Sequence, residues 1–514
     1  MNNFKFLSFL TALIAFFTPL VAYANESAGN IDQAISNAIA PVANAVANTI
    51  FYSVPFNGTQ LPLIVAWLII AAIIFTIYFG FIQFRVIPHA IQLIRGKYSD
   101  PNDKGEVSHF QALATAVSGT VGLGNIAGVA VAVTIGGAGA TFWMILAGLL
   151  GMASKFVECT LGVKYRNEYA DGKVSGGPMY YLSKGLAEQG RAGLGRFLAI
   201  FFAICCIGGA IGGGNMFQAN QAFQQVVIVT TFTTTTGETI SWFADKGWLF
   251  GLILAAFTGA VIIGGIRSIA RVTGKLVPIM AILYLTAGLI IILMNADKVG
   301  WAFGQIIDGA FTAEGVTGGV VGALIQGFKR AAFSNEAGIG SASIAHSAVR
   351  TKEPATEGIV STLEPFIDTV VICTMTALVI IITGSLGTPD KTGVQLTSHA
   401  FGSAVWWFPY VLAIAVVLFA FSTLITWSYY GLKAWTYLFG EGQITELIFK
   451  LMFLAFVVIG ASMSLGPVID FSDAMIFAMS IANIIGLYML MPVVKREVTQ
   501  YLAKIKSGEI KPTH

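Results

Sequence analysis

Eleven residues constrain this chain more than any others: Ser118-Gly119-Thr120-Val121-Gly122-Leu123-Gly124-Asn125-Ile126-Ala127-Gly128. They interrupt an apolar segment, from about Phe110 to Ile135, that is long enough to cross a bilayer. A spanning helix would carry Leu, Ile and Val there; this one carries four glycines, two hydroxyls and an amide. Backbone groups left without partners in lipid cost several kcal/mol each, so irregular backbone survives only against protein or a wet cavity. Glycine permits unusual dihedrals and close approach to the main chain. Two readings stand at this point. One is a helix broken at mid-membrane, offering N–H and C=O groups to something small and polar. The other is a tightly packed glycine-rich helix crossing.

The setting is a membrane protein. The chain is 56% hydrophobic and 11% charged, against roughly 25% charged in soluble domains. Several apolar runs exceed the roughly 18 residues of a transmembrane candidate. A formal charge of +3 is too small to argue for nucleic acid. Cys159, Cys205, Cys206 and Cys373 all lie in apolar segments and read as small core residues, not as a disulfide or metal framework.

Residues 1–24 read as a signal peptide: Lys5, an apolar run from Phe6 to Val21, then Ala22-Tyr23-Ala24 as a cleavage site. An uncleaved anchor helix is the alternative. Residues 25–60 read as an amphipathic or loosely ordered periplasmic segment. Span one covers residues 61–84, and span two is the glycine-broken segment. The next four run from about Thr141 to Val163, Phe197 to Val229, Leu249 to Ile266 and Leu276 to Met294. Span seven, about Gly318 to Ala345, is broken again. Spans eight to eleven follow at about Gly358 to Thr383, Ser403 to Tyr430, Leu447 to Leu465 and Ala474 to Val494. The tail, 495–514, is basic. Lys and Arg gather in every second loop, after spans one, three, five, seven, nine and eleven. The positive-inside rule makes those loops cytoplasmic, with the mature N-terminus outside. An outside N-terminus needs a signal peptide, so the two readings agree.

The two breaks lie five spans apart and resemble each other: Val121-Gly122-Leu123-Gly124-Asn125 against Ala337-Gly338-Ile339-Gly340-Ser341. Each following span places a carboxylate after Phe and a β-branched residue, in Phe156-Val157-Glu158 and Phe366-Ile367-Asp368. Two five-span units of opposite orientation, 108–294 and 316–494, are the pattern of an inverted-repeat secondary transporter.

Four blocks carry a family resemblance. They are His109 to Arg166; Ser175-Gly176-Gly177-Pro178-Met179-Tyr180-Tyr181-Leu182; Phe333-Ser334-Asn335-Glu336-Ala337-Gly338-Ile339-Gly340-Ser341; and Trp427-Ser428-Tyr429-Tyr430-Gly431. The chain resembles the alanine or glycine:cation (sodium) symporter family over roughly residues 60–495. The resemblance implies an all-α polytopic protein of the leucine-transporter type, with five-plus-five inverted repeats, one preceding helix and about eleven spans. It implies sodium-coupled uptake of small neutral amino acids, chiefly alanine and glycine, across a bacterial inner membrane. Na⁺ is then the coupling ion, and no organic cofactor is expected.

An amino acid brings a carboxylate, suited to free N–H groups, and an ammonium, suited to free carbonyls. Thr120, Gly122, Gly124 and Asn125 of the first break are assigned to substrate, and Phe333, Ser334, Asn335 and Gly338 of the second are candidates. Glu336 either joins them or holds the broken backbone in place. Asn215 and Gln218 are three apart and share a helix face; they face the substrate or bind neighbouring helices. Trp427 is a candidate pocket wall. The resemblance implies a Na⁺ site from the carbonyls of Ser118, Val121 and Phe419 and the hydroxyls of Ser422 and Thr423. The bland alternative is that these hydroxyls bond their own helix. Among intramembrane charges, Lys155 and Glu158 are expected to pair at i, i+3, and Glu364 is a further carboxylate. Lys329 and Arg330 gate an outer vestibule or reach the interface. Asp368 touches an ion or, preferably, pairs with a basic residue. His109 and His346 read as polar helix ends. A symporter of the same fold coupled to H⁺, or one for another small amino acid, is the runner-up; no nucleophile–base set or metal cluster suggests an enzyme, and a passive channel is a third alternative.

Overall fold

The computed structural model describes residues 31–56, 59–170, 172–233, 239–312 and 319–512. The expected signal peptide therefore lies outside the described residues. The segment after it is more regular than expected: a helix, Ile31–Ile50, runs into a short hairpin of Ser53–Phe56 with Thr59–Pro62. That helix packs along the last one, Leu465–Ser507.

Among the described residues, seven helices are long and apolar enough to cross a membrane: Ala140–Lys164, Ala192–Val229, Gly265–Met294, Pro354–Ile382, Phe408–Phe439, Gln443–Ser462 and Leu465–Ser507. A bent pair, His109–Thr120 with Gly124–Gly136, adds an eighth. Spans one and five appear as the shorter apolar helices Leu63–Tyr78 and Gly247–Ile262. This is a multi-pass membrane protein. Its outer faces carry Ile77, Phe197, Phe257 and Ile282, all well exposed, as a lipid-facing surface requires. Trp301 and Trp406 are also exposed.

Both expected breaks are present. Span two begins on a capping box, in which Ser108 Oγ accepts from Gln111 N and Gln111 Oε1 accepts from Ser108 N. It ends at Val121, with ψ 90°, bends by 49° and restarts through a wide π turn, Gly124–Gly128. Span seven runs as Gly319–Asn335, then passes through left-handed backbone at Glu336, Gly338 and Gly340 (φ 56°, 85° and 98°) before Ala342–His346. Two further π turns sit in spans four and eight, at Gly212–Met216 and Phe366–Cys373. Turns of this kind widen a helix and often mark functional positions.

Span six departs from expectation. It begins at Gly265, not Leu276, so Arg267, Arg271 and Lys275 lie on its first turns and not in a loop. Arg267 is exposed and reaches Glu106; a long cationic side chain at a helix end can keep its head in water.

The basic loops meet at one end of the bundle. Lys104 pairs with Glu168, Lys352 with Asp100 and Asp103, Lys164 with Glu497, and Lys504 with Glu353. Arg166 donates to the carbonyls of Lys104, Ser347, Val349 and Thr351. That one side chain fastens the loop before span two to the loop after span seven.

Candidate binding site between the two helix breaks

The first break leaves buried backbone groups that need partners. Gly122 N donates to Asn125 Oδ1 at 2.8 Å, and Leu123 N to Gln218 Oε1 at 3.0 Å. The carbonyl of Gly119 accepts from Trp427 Nε1 at 3.2 Å, and that of Ile126 from Thr397 Oγ1 at 3.1 Å. At the second break Ala337 N donates to Asn335 Oδ1 at 3.0 Å, and Asn483 Nδ2 to the Gly338 carbonyl at 2.9 Å. Glu336 holds its left-handed backbone at a cost of roughly 1–3 kcal/mol. Its carboxylate accepts from Ser341 Oγ and, at 3.1 Å, from Trp427 Nε1. Trp427 thus joins both breaks through one N–H. Span four passes it so closely that a Cβ on Gly214 would lie 2.1 Å from Trp427 Cγ.

Where the breaks meet, Gly119, Thr120, Gly124, Gly213, Gln218, Phe333, Glu336, Trp427 and Ile476 enclose a cavity. Its volume is about 10 Å³, at the lower limit for one water molecule. This is a closed arrangement, and a larger solute enters only if these side chains move. A cleft of about 660 Å³ opens separately at the basic end, between Glu106, Lys173, Arg267, Tyr429 and Lys433. It is larger, but the unwound backbone converges on the small cavity.

Of the expected substrate residues, Thr120, Gly124, Gln218, Phe333 and Trp427 line the cavity. The others lie around it. Gly122 sits against Thr423, whose Oγ1 would be 2.5 Å from an added Cβ. Asn125 does not face the cavity: its amide braces the break and donates to Asp368 Oδ2 at 2.7 Å. Ser334 Oγ donates to Asp368 Oδ1 at 2.8 Å. Asn335 donates to Thr369 Oγ1 at 2.9 Å and borders span one. Gly338 meets Leu68 and Asn483. Asn215 does not share the face of Gln218; its Nδ2 donates to the Phe453 carbonyl at 2.6 Å. The π turn at Gly212–Met216 is the reason, because three-residue spacing no longer returns to the same face in a widened turn. Gly119, Gly213 and Ile476 were not expected; the Gly212-Gly213-Gly214 run was the one signal for the second, and nothing marked the third.

Next to the cavity, four of the five expected ion-site positions come together. Thr423 Oγ1 donates to the Ser118 carbonyl at 3.0 Å, and Ser422 Oγ to the Phe419 carbonyl at 2.9 Å. Ser118 Oγ donates to the Ser422 carbonyl at 2.8 Å, and Thr426 Oγ1 to Ser118 Oγ at 3.1 Å. Val121, the fifth, ends the half-helix beside Gly122. All are buried. The donors are neutral hydroxyls and the acceptors are carbonyls and the Ser118 hydroxyl, an all-oxygen set of the kind a hard cation accepts. The Ser422 hydroxyl thus bonds within its own helix, whereas the Thr423 hydroxyl reaches across to span two.

The charged residues correct several expectations. Lys155 does not pair with Glu158; its Nζ is 3.1 Å from Glu364 Oε1, while Glu158 accepts from Asn483 at 2.9 Å. Lys329 and Arg330 both meet Asp473 of the last helix, Lys329 at 3.0 Å. Asp368 has no basic partner among the described residues. Its carboxylate is held by Asn125, Ser334 and Thr369 alone, all neutral donors. It is fully buried, one layer behind the cavity, and touches both breaks. His109 and His346 are not polar helix ends facing water but are buried on Glu357.

Comparison with known proteins agrees with this geometry. Residues 42–514 match the sodium:alanine symporter family. The sodium/alanine symporter AgcS of Methanococcus maripaludis is 40% identical over 88% of this chain and 96% of its own. The amino-acid carrier protein AlsT of Bacillus subtilis is 34% identical over 84% and 88%. The solved structure of MhsT in complex with L-phenylalanine superposes with a TM-score of 0.51 at 15% identity, covering 78% of this chain and 99% of that one; this likeness supports the shared leucine-transporter-type fold. The chain belongs to the sodium:alanine symporter family and is a cation-coupled amino-acid transporter, not an enzyme.

Proposed function

We propose that the chain carries small neutral amino acids, alanine or glycine, into the cell together with Na⁺. The observation that carries this reading is the contact of Ser422 and Thr423 with the end of the first half-helix beside the cavity: the Thr423 hydroxyl donates to the Ser118 carbonyl, and the Ser422 carbonyl accepts from the Ser118 hydroxyl. An ion placed among these oxygens would draw Ser118 and Val121 into its shell. The next residues, Gly122 and Gly124, border the substrate space, so one unwound turn links ion and amino acid. The small side of the cavity is glycine backbone, and Phe333 and Trp427 close the other side, which favours a substrate with little or no side chain. Asp368 has no cationic partner among the described residues, and a bound cation would compensate its carboxylate. The substrate in the name of one relative, alanine for AgcS, points the same way.

The transport cycle in this reading is alternating access. The two five-span units, 108–294 and 316–494, form the inverted repeats, preceded by the span at 61–84. The basic end faces the cytoplasm of a bacterial inner membrane, by the positive-inside rule. The Lys329–Arg330–Asp473 cluster then closes the outer side. Equilibrium binding of alanine to the purified protein tests the coupling. Affinity should rise with Na⁺ and stay unchanged when the counter-cation is choline. Equal affinity in both salts would remove Na⁺ from the site.

A further inference from the structure

A chain of buried ionisable side chains crosses the basic end, away from the cavity. His109 opens the first half of span two, and His346 closes the second half of span seven. Their Nδ1 atoms reach the two oxygens of Glu357, at 2.5 and 2.6 Å. Nε2 of His346 faces Oε2 of Glu364 at 3.5 Å, and neither atom has a hydrogen-bond partner among the described residues. The other oxygen of Glu364 accepts from Lys155. All five side chains are at most 2% exposed.

With neutral imidazoles this chain holds one cation and two carboxylates. An uncompensated buried charge is costly. Among the described residues, the neighbours do not supply the missing positive charge. Span three adds Glu158 and the thiol of Cys159, and Glu336 lies near Lys155. Tyr430 contributes only a buried hydroxyl, and Tyr181 bonds Asn483. Arg166, just beyond His346, is taken up by Glu168 and by the carbonyls of Ser347 and Val349. Each imidazole needs a hydrogen on Nδ1 to reach Glu357. Nε2 of His346 is then a lone pair aimed at a carboxylate oxygen, unless it also carries a hydrogen.

We propose that His346 binds one proton between Glu357 and Glu364, and that this proton fastens the basic-end halves of both broken helices to span eight. The same halves are tied by backbone: Val107 bridges Val349, and Arg350 N donates to the Val107 carbonyl at 2.8 Å. When they part, water reaches the imidazole. A hydrated imidazole, with a pKa of about 6.5, gives the proton up near neutral pH. Opening of this end therefore releases one proton, and it is favoured by up to about tenfold per pH unit.

Ring-¹⁵N NMR of histidine-labelled protein in nanodiscs tests the site without reference to any transported solute. The chain has five histidines. One ring should remain doubly protonated at about pH 8, well above the value of about 6.5 for hydrated imidazole. That signal should vanish in His346→Gln and persist in His89→Gln. Singly protonated rings throughout would overturn the proposal. Hydrogen exchange reads the linkage. Protection of the amides of Ser347, Ala348 and Val349, corrected for intrinsic rates, should fall with rising pH by up to about tenfold per unit, and His346→Gln should abolish the slope. A pH-independent protection in the parent protein, or an unchanged slope in the variant, would overturn it. If His346→Gln does not fold, Glu364→Gln replaces it; it removes the anionic oxygen facing Nε2 and should lower the doubly protonated fraction, and an unchanged fraction contradicts the proposal.

Discussion

Thr423 Oγ1 donates to the carbonyl of Ser118 at 3.0 Å, tying span nine to the residue where span two begins to unwind. If both oxygens turn to Na⁺ in the transport cycle, removing the hydroxyl removes an ion ligand. A bond to a charged group is worth roughly 1.5–3 kcal/mol. Thr423→Ala, and Ser422→Ala likewise, should raise the Na⁺ concentration for half-maximal uptake about tenfold or more. Uptake measured against Na⁺ concentration checks this, and an unchanged midpoint would remove the hydroxyl from the site.

Gly124 offers a test of substrate size. A Cβ there would lie 3.4 Å from both Phe333 Cδ1 and Ser334 Cα, an ordinary contact, so the backbone accommodates it. It would still occupy cavity space. Gly124→Ala should reduce alanine uptake more than glycine uptake. One methyl in an apolar pocket is worth about 1–3 kcal/mol, so the ratio should shift about tenfold. Competition between the two labelled amino acids measures it.

Asp368 separates charge from hydrogen bonding. Two of its three donors are hydroxyls, which can accept as well as donate. Asp368→Asn can therefore place its amide toward Ser334 and Thr369 and its oxygen toward Asn125. The variant should fold with a Tm near that of the parent and lose about tenfold or more in uptake. A thermal melt beside an uptake assay reads both. Full activity would mean that the negative charge has no part in binding a cation.

The Lys329–Arg330–Asp473 cluster should respond unequally to its members. Asp473 serves two cations, whereas Lys329 is partly exposed and Asp473 keeps Arg330 when it is removed. Removing one partner of a buried pair costs roughly 3–5 kcal/mol. Asp473→Ala should lower Tm by several degrees, and Lys329→Ala by much less. Thermal unfolding in detergent compares them.

The breaks were legible because glycine and hydroxyl residues in an apolar run have few other uses, and the candidate ion-site hydroxyls followed from the resemblance. What stayed hidden is long-range. Lys155 has Glu158 three residues away yet bonds Glu364, because which helix faces which is not written in local spacing. His109 and His346 meet only through Glu357 on a third helix. Asn215 was misplaced by a single widened turn, which shifts every later side chain around the helix. Asp368 was expected beside a base and instead sits among neutral donors, since charge balance in a closed bundle depends on all its helices together.

Uptake of labelled alanine into liposomes holding the pure protein tests the central claim most directly. An inward Na⁺ gradient should drive saturable accumulation above equilibrium, collapsing when the gradient is dissipated and competed by glycine. Accumulation indifferent to Na⁺, or no saturable alanine uptake at all, would contradict it.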